Sequence, residues 1–216
     1  RMTFSLRSKS TNNMHKKIFS VLLIASCCTA AFSQNKWTET ENGTFNLVKN
    51  KGGQSLAYSS ASGVKLLTIN GFAFKDLNKN GKLDKYEDWR LPVDVRAKDL
   101  ASKLTVEQIA GLMLYSAHQS IPARAGGYFA GTYNGKPYKE GEVDPSALTD
   151  QQKKFLQEDN LRHVLITTVL SPVAAAKWNN TMQAYCESVG MGIPANNSSD
   201  PRHGTKAKAE YDAASG

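Results

Sequence analysis

The stretch from Val164 to Ser199 constrains the fold more than any other part of this 216-residue chain. Val164 to Leu170 reads VLITTVL, a run of apolar and β-branched residues without alternation. A strand with one wet face alternates, whereas a continuous run suits a strand covered on both faces, as in a parallel sheet. Ser171-Pro172 then offers a cap followed by a first-turn proline. Residues 173–189 read as a helix with Val173, Ala176, Met182, Tyr185 and Val189 as inner positions. Gly190 to Gly192 ends it, and Ile193 to Ser199 reads as the next strand. Parallel neighbours need a crossover, so strand, helix and strand within about 35 residues make one βαβ unit and an α/β fold class.

Upstream, residues 34–63 are rich in Gly, Ser, Asn and Thr, with β-like patches such as Thr44 to Val48. They read as a small β-rich or irregular segment. Val64 to Phe74 (VKLLTINGFAF) reads as one strand leading into an acidic loop. Leu91 to Tyr115 reads as helical. Pro92 suits a first turn, and Val93, Ala97, Leu100, Ala101 and Leu104 recur at helical spacing. Thr105-Val106-Glu107-Gln108 is a capping-box pattern that starts a second helix running through Ile109, Leu112 and Met113. Gly126 to Pro145 is a long Gly/Tyr/Pro loop, and loops of this length serve function or mobility. Its Tyr128, Phe129, Tyr133 and Tyr138 suit either the lining of a binding site or simple cover. Leu148 to Asn160 reads as a third helix capped by Thr149.

The N-terminus bears on the charge argument. Met14-His15-Lys16-Lys17, an apolar stretch from Ile18 to Phe32 and a small-residue exit at Ala31-Phe32-Ser33 have the order of a secretory signal over 14–33. The apolar stretch is too short to span a bilayer comfortably. Residues 1–13 read as an upstream extension. Ile24-Ala25-Ser26-Cys27 resembles a lipobox, so a lipoprotein anchored through Cys27 is the minor reading beside cleavage near Ser33. An exported chain, periplasmic or extracellular, is expected. Five of the 27 basic residues and none of the 19 acids lie in 1–33, which leaves an excess of three basic groups afterwards. No Lys/Arg run with interleaved aromatics follows, so no nucleic-acid partner is expected. Cys27 and Cys28 leave with the signal, and Cys186 has no partner for a disulfide. The mature chain holds no transmembrane segment in this reading.

Asp76 to Glu87 (DLNKNGKLDKYE) carries the sharpest chemical pattern. Asp76, Asn78 and Asn80 fall at positions 1, 3 and 5 of a twelve-residue EF-hand loop, and Gly81 at 6 permits the turn. Lys82 at 7 offers its carbonyl, Asp84 stands at 9, and Glu87 at 12 can bind through both oxygens. Alternate hard oxygens at this spacing suit calcium. Two Asn in place of Asp lower the ligand charge, and a lone loop suits a structural staple better than a switch. No organic cofactor is expected. His118 and His163 form no metal spacing with each other or with Cys186 and read as packing or surface residues. Trp37, Trp89 and Trp178 could each stack on a ligand but read as core.

The order of these features resembles a known family. The acidic loop ends in Glu87-Asp88-Trp89-Arg90 and continues through Val95 to Met113, a "RAxDLLSKLTxEEKxGQM"-like helix pair. Val164 to Leu170, the Trp178-Asn179 helix and Gly192 to Gly204 (GIPANNSSDPRHG) then follow. This resembles the family 3 glycoside hydrolases, nearest to secreted β-glucosidase-like members of the Bacteroidetes type, over about residues 70–206. The resemblance implies that 34–90 is an N-terminal segment with an EF-hand-like loop. It implies that 91–216 is the N-terminal portion of a (β/α)8 TIM barrel. Asp200 would then bind the sugar of an oligosaccharide or β-glycoside substrate, with Arg202 and His203 beside it and His203 more structural than catalytic. The family hydrolyses β-linked glycosides with retention, using a nucleophile and an acid/base about 5 Å apart. In the family both lie downstream of the region this chain matches. Catalytic residues are therefore expected to be absent, and the chain alone is expected to be inactive and poorly folded. The competing reading is an exported calcium-binding, dockerin-like module without enzyme activity. It needs only the loop and leaves the βαβ unit and the Asp-Pro-Arg-His-Gly end unexplained.

Overall fold

The computed structural model describes residues 35–127 and 130–199. Residues 1–34, Tyr128, Phe129 and 200–216 lie outside the description. The readings of a signal, of Cys27, and of Asp200, Arg202 and His203 therefore fall beyond it.

The N-terminal segment is a meander of β1 (Trp37–Asn42), β2 (Phe45–Asn50) and β3 (Leu56–Tyr58), antiparallel in that order. A hairpin of β4 (Lys65–Ile69) and β5 (Phe72–Asp76) follows. The single strand expected over Val64 to Phe74 is thus two. Asn70 and Gly71 take φ of 54° and 84°, the paired left-handed geometry that turns a two-residue hairpin. Asn50 joins the two sheets: its side-chain Oδ1 accepts from Ala73 N at 2.7 Å and its Nδ2 donates to Ala73 O at 3.2 Å. The amide acts as an extra rung of sheet ladder. Trp89 stacks on Phe74 with centroids 5.2 Å apart and donates its indole N–H to the same Ala73 carbonyl at 3.0 Å.

α1 (Val93–Ala101) starts after Pro92 without a side-chain cap, and α2 (Val106–Leu112) starts at its capping box. Thr105 Oγ1 accepts from Gln108 N at 3.2 Å, and Gln108 returns the bond to Thr105 N at 2.9 Å. The expected inner face of α1 is not buried; Val93 is 73 % exposed. The helical reading also overran its end, because Tyr115 already begins a strand.

That strand, β6 (Tyr115–Ile121), pairs in parallel with β9 (His163–Val169), which pairs in parallel with β10 (Asn196–Ser199). Between β6 and β9 lie the small hairpin β7 (Thr132–Tyr133) and β8 (Lys136–Pro137) and helix α3 (Asp150–Gln157). Thr149 caps α3 through a capping box with Gln152. Helix α4 (Pro172–Ser188) makes the crossover from β9 to β10, with Ser171 accepting from Ala174 N as cap. The buried run of β9 sits in the middle of the sheet, as its non-alternating sequence requires. Four helices and several separate sheets make a mixed α/β architecture, and no closed barrel forms among the described residues.

The core lies between α3, α4 and the parallel sheet: Ile121, Leu148, Leu156, Leu161, Val164, Ile166, Trp178, Met182 and Cys186. The buried line of α4 is Ala174, Trp178, Met182 and Cys186, one residue every fourth place. Val173 and Ala176, expected inside, face out. Inside this core Gln152, 1 % exposed, spends both lone pairs of Oε1, accepting from Thr149 N at 3.0 Å and from Trp178 Nε1 at 3.1 Å. Its Nε2 donates to Gln119 Oε1 at 3.2 Å and so reaches β6. Large apolar side chains also remain exposed, among them Val106, Met113, Leu114, Tyr115, Leu170 and Val173. Trp178→Ala should lower unfolding stability by about 3–5 kcal/mol in urea denaturation, since it opens a large cavity and removes one of the two donors to Gln152 Oε1.

Candidate functional site

Two places carry the chemistry anticipated from the sequence: the carboxyl-terminal edge of the parallel sheet and the acidic loop 76–87. Parallel α/β sheets bind ligands beyond the carboxyl ends of their strands. Here those ends are Ile121, Val169 and Ser199. Ser199 is the last residue of β10, so the chain leaves the sheet at this edge directly into Asp200. The position of the Asp200 side chain lies outside the described residues.

Strand β6, on the far side of β9 from β10, was not legible as a strand. Its sequence, Tyr-Ser-Ala-His-Gln-Ser-Ile, carries four polar residues, and its pairing with β9 shifts register twice. At the first shift Ser116 Oγ accepts from Leu165 N at 2.9 Å and donates to Ala117 O at 2.7 Å, so a side chain mends the interrupted ladder. Capping boxes and turns announce themselves locally, but a strand held by such a repair does not.

The loop between β6 and α3 rises over the same edge. Tyr133 is buried, and its hydroxyl oxygen accepts from Ala123 N at 3.0 Å; its ring meets Tyr138 edge-on at 6.0 Å. These two tyrosines pack the loop against itself. Asp150 ties the β7–β8 turn down: its carboxylate accepts from Gly135 N at 2.8 Å, Thr132 Oγ1 at 2.7 Å and Asn134 N at 3.1 Å. The Gly135 amide first, then the Thr132 hydroxyl, holds this carboxyl below the usual carboxylate range.

The acidic loop is fully described. Gly81 takes φ of 76° at its sharp turn and Lys79 takes 61°. Asp76, 2 % exposed, accepts from Asn80 N at 3.0 Å through Oδ1 and from Gly81 N at 2.8 Å through Oδ2. Asn78 Oδ1 accepts from Asn80 N at 3.1 Å and Asn80 Oδ1 from Lys82 N at 2.8 Å. Both amides donate to Asp84 Oδ2, at 2.6 and 2.8 Å, so residues 78, 80 and 84 converge on one another. Each oxygen in these backbone turns retains a second lone pair for a cation. Glu87 is turned toward backbone, accepting from Leu77 N at 2.7 Å and Asp84 N at 2.9 Å. Lys103 Nζ lies 3.0 Å from Asp84 Oδ1 and supplies the positive charge nearest the cluster. Burial raises both carboxyls. At Glu87 it prevails over the backbone N–H groups, whereas at Asp84 the bonds from Lys103, Asn78 and Asn80 outweigh it and hold the group low. Oxygen type and order fit a hard cation. Among the described residues, however, no three His, Cys, Asp or Glu side chains gather closely enough to hold a metal by themselves. Any such site would rest equally on the two Asn and the Lys82 carbonyl.

The other expected candidates behave as packing groups. Trp178 is in the core, Trp89 lies on Phe74, and Trp37 Nε1 donates to Thr68 Oγ1 at 3.2 Å. His163 Nδ1 is 3.3 Å from Asn196 Nδ2 at the opposite edge of the sheet. A cavity of about 520 Å³ lies apart from both places, between the meander and α4, and includes Phe45, Tyr58, Trp89 and the half-buried Lys75–Glu187 pair.

No family model matches the chain. A curated relative, the periplasmic beta-glucosidase/beta-xylosidase of Dickeya chrysanthemi, is 38% identical over 142 residues, which cover 65% of this chain and 19% of that protein. The resemblance to a family 3 β-glucosidase is borne out. The chain spans about a fifth of the length of this relative. No helix among the described residues is long and apolar enough to cross a membrane.

Asp150 generates a pH signature. Its folded-state pKa lies below the unfolded one, so its contribution is present above the ordinary value of about 3.9 and is lost as pH falls through the folded value. Amide-exchange protection at residues 132–137 should therefore drop on acidification below about pH 4 in the native chain. In Asp150→Ala it should be low already at neutral pH and change little there.

Proposed function

We propose that this chain is part of an exported family 3 glycoside hydrolase acting on β-glucosides or β-xylosides with retention. The identity to the periplasmic beta-glucosidase/beta-xylosidase is the observation that carries this reading. It is supported by the parallel β6–β9–β10 sheet, whose last strand runs into Asp200 at the edge where barrel enzymes bind substrate. Asp200 is assigned as the group that grips the non-reducing sugar: an ionised carboxylate accepts from two adjacent hydroxyls and fixes the ring's orientation. Arg202 and His203 follow in sequence and are assigned as a hydroxyl donor and a shaping residue. These residues bind and orient. The nucleophile and the acid/base are assigned to sequence downstream of the matched region, and the chain alone is proposed to lack turnover.

Asp76, Asn78, Asn80, Lys82 through its carbonyl, Asp84 and Glu87 are proposed to hold one calcium ion as a structural staple. Calcium supplies charge neutralisation for three acids in one turn of chain; the loop supplies the turn at Gly81 and a prearranged first half. The free-standing calcium module finds less support, because the loop packs on α4 and is not repeated.

The longer polypeptide that carries this chain should hydrolyse aryl β-glucosides or aryl β-xylosides with retained configuration, and Asp200→Asn should lower kcat/KM by roughly 100-fold or more, as expected for two hydrogen bonds to a charged acceptor. Turnover unchanged by that substitution would overturn the assignment of Asp200. Calorimetric titration should show one calcium bound per chain, weakened at least about tenfold in Glu87→Gln.

A further inference from the structure

The acidic loop makes contacts that calcium binding does not require. Lys79, at the fourth position of the loop, reaches across to the end of α4. Its Nζ donates to Glu187 O at 3.0 Å and Ser188 O at 3.3 Å, with Leu77 O at 3.5 Å completing the set. The last carbonyls of a helix have no partner within it and form the negative end of its dipole, so an ammonium with three donors suits them. The buried Tyr86 donates its hydroxyl to Met191 O at 3.3 Å. Gly192, at φ 64°, lies directly against the loop: a Cβ there would stand 2.9 Å from Leu77 Cβ and 3.1 Å from Leu77 O. Three separate contacts, from positions 2, 4 and 11 of the loop, thus grip residues 187–192.

Those residues are the last two of α4 and the first half of the turn that leads to β10. The far half of the turn is held from the core side instead. Arg162 Nε donates to Ile193 O at 2.8 Å, and Gln183 exchanges two bonds with Ala195, at 2.9 and 3.1 Å. The turn is therefore suspended between the loop and the core, with Glu187 at its helical end held also by Ser59 N and Lys75 Nζ.

We infer that Lys79 and Tyr86 are positioning residues that couple cation binding in the loop to the placement of the α4–β10 turn, and so to strand β10. This inference rests on the calcium reading given above. In the coupled system, ordering the loop around an ion fixes the backbone that carries Lys79 and Tyr86. That in turn suppresses opening of residues 187–192. The geometry also accounts for a lysine inside a cation-binding loop, since its charge is spent on helix carbonyls.

The test is amide hydrogen exchange on the full 216-residue chain, with and without calcium, beside a calcium titration of each variant. With calcium at 100 times its Kd, exchange through loop opening should slow by up to about 100-fold at 76–87, and the slowing should extend to 187–192. Lys79→Met and Tyr86→Phe should bind calcium with Kd within about threefold of the native chain, a difference well under 1 kcal/mol. Both should nonetheless lose the calcium-dependent protection at 187–192, and Lys79→Arg should restore it. Native protection confined to 76–87 would overturn the coupling while leaving calcium binding intact. Protection at 187–192 that persists in both variants would also overturn it. A chain that binds no calcium would overturn the coupling and the calcium reading together.

Discussion

The indole N–H of Trp178 has to find an acceptor inside an apolar core, and the solution shapes everything around it. Gln152 provides that acceptor, and its remaining groups are committed to the Thr149 cap and to Gln119 of β6. One amide therefore fixes the start of α3, the face of α4 and the reach of β6. A half-satisfied buried amide costs more than an apolar residue in the same place. With every partner supplied, the network specifies how two helices lie on the sheet. Register of α4 follows from it, because Trp178 sets the phase in which Ala174, Met182 and Cys186 turn inward.

A second amide performs the same kind of work at the other end of the molecule. Asn50 pairs with both backbone groups of Ala73 and so welds the meander to the β4–β5 hairpin, where Trp89 covers the joint. From that hairpin the chain passes straight into the acidic loop, and the loop abuts the end of α4. Buried Glu187 closes the circuit by accepting from Ser59 N at 3.0 Å and from Lys75 at 2.5 Å. The small β segment and the βαβ unit are thus joined by directional polar contacts.

Much of this was legible because its causes are local. Thr105 and Thr149 each stand three residues before a glutamine, and both cap helices; Ser171-Pro172 starts a third. The unbroken VLITTV run predicts a central parallel strand and becomes one. Asn70-Gly71 carried an equally local signal, but the apolar residues on either side concealed it. The phase of α4 was not local: Val173 is more apolar than Ala174, yet the tryptophan network turns Ala174 inward. Nor was β6 legible, since its ladder is completed by the Ser116 side chain and its polar residues face a loop and a helix distant in sequence. The sharp turn of the acidic loop at Gly81 was legible, whereas its grip on residues 187–192 needed the tertiary arrangement.

Cys186, on the inner face of α4, is fully buried, and burial raises its thiol pKa. The thiolate is the species that attacks disulfides and peroxides. In an oxidising compartment an unpaired cysteine ordinarily invites mixed disulfides and covalent dimers. Here the folded chain keeps its sulfur protonated and out of reach, so it is redox-silent for as long as the core stays closed. Its thiol becomes a reporter of unfolding instead, reacting only in molecules that have already lost the packing of α4 on the sheet.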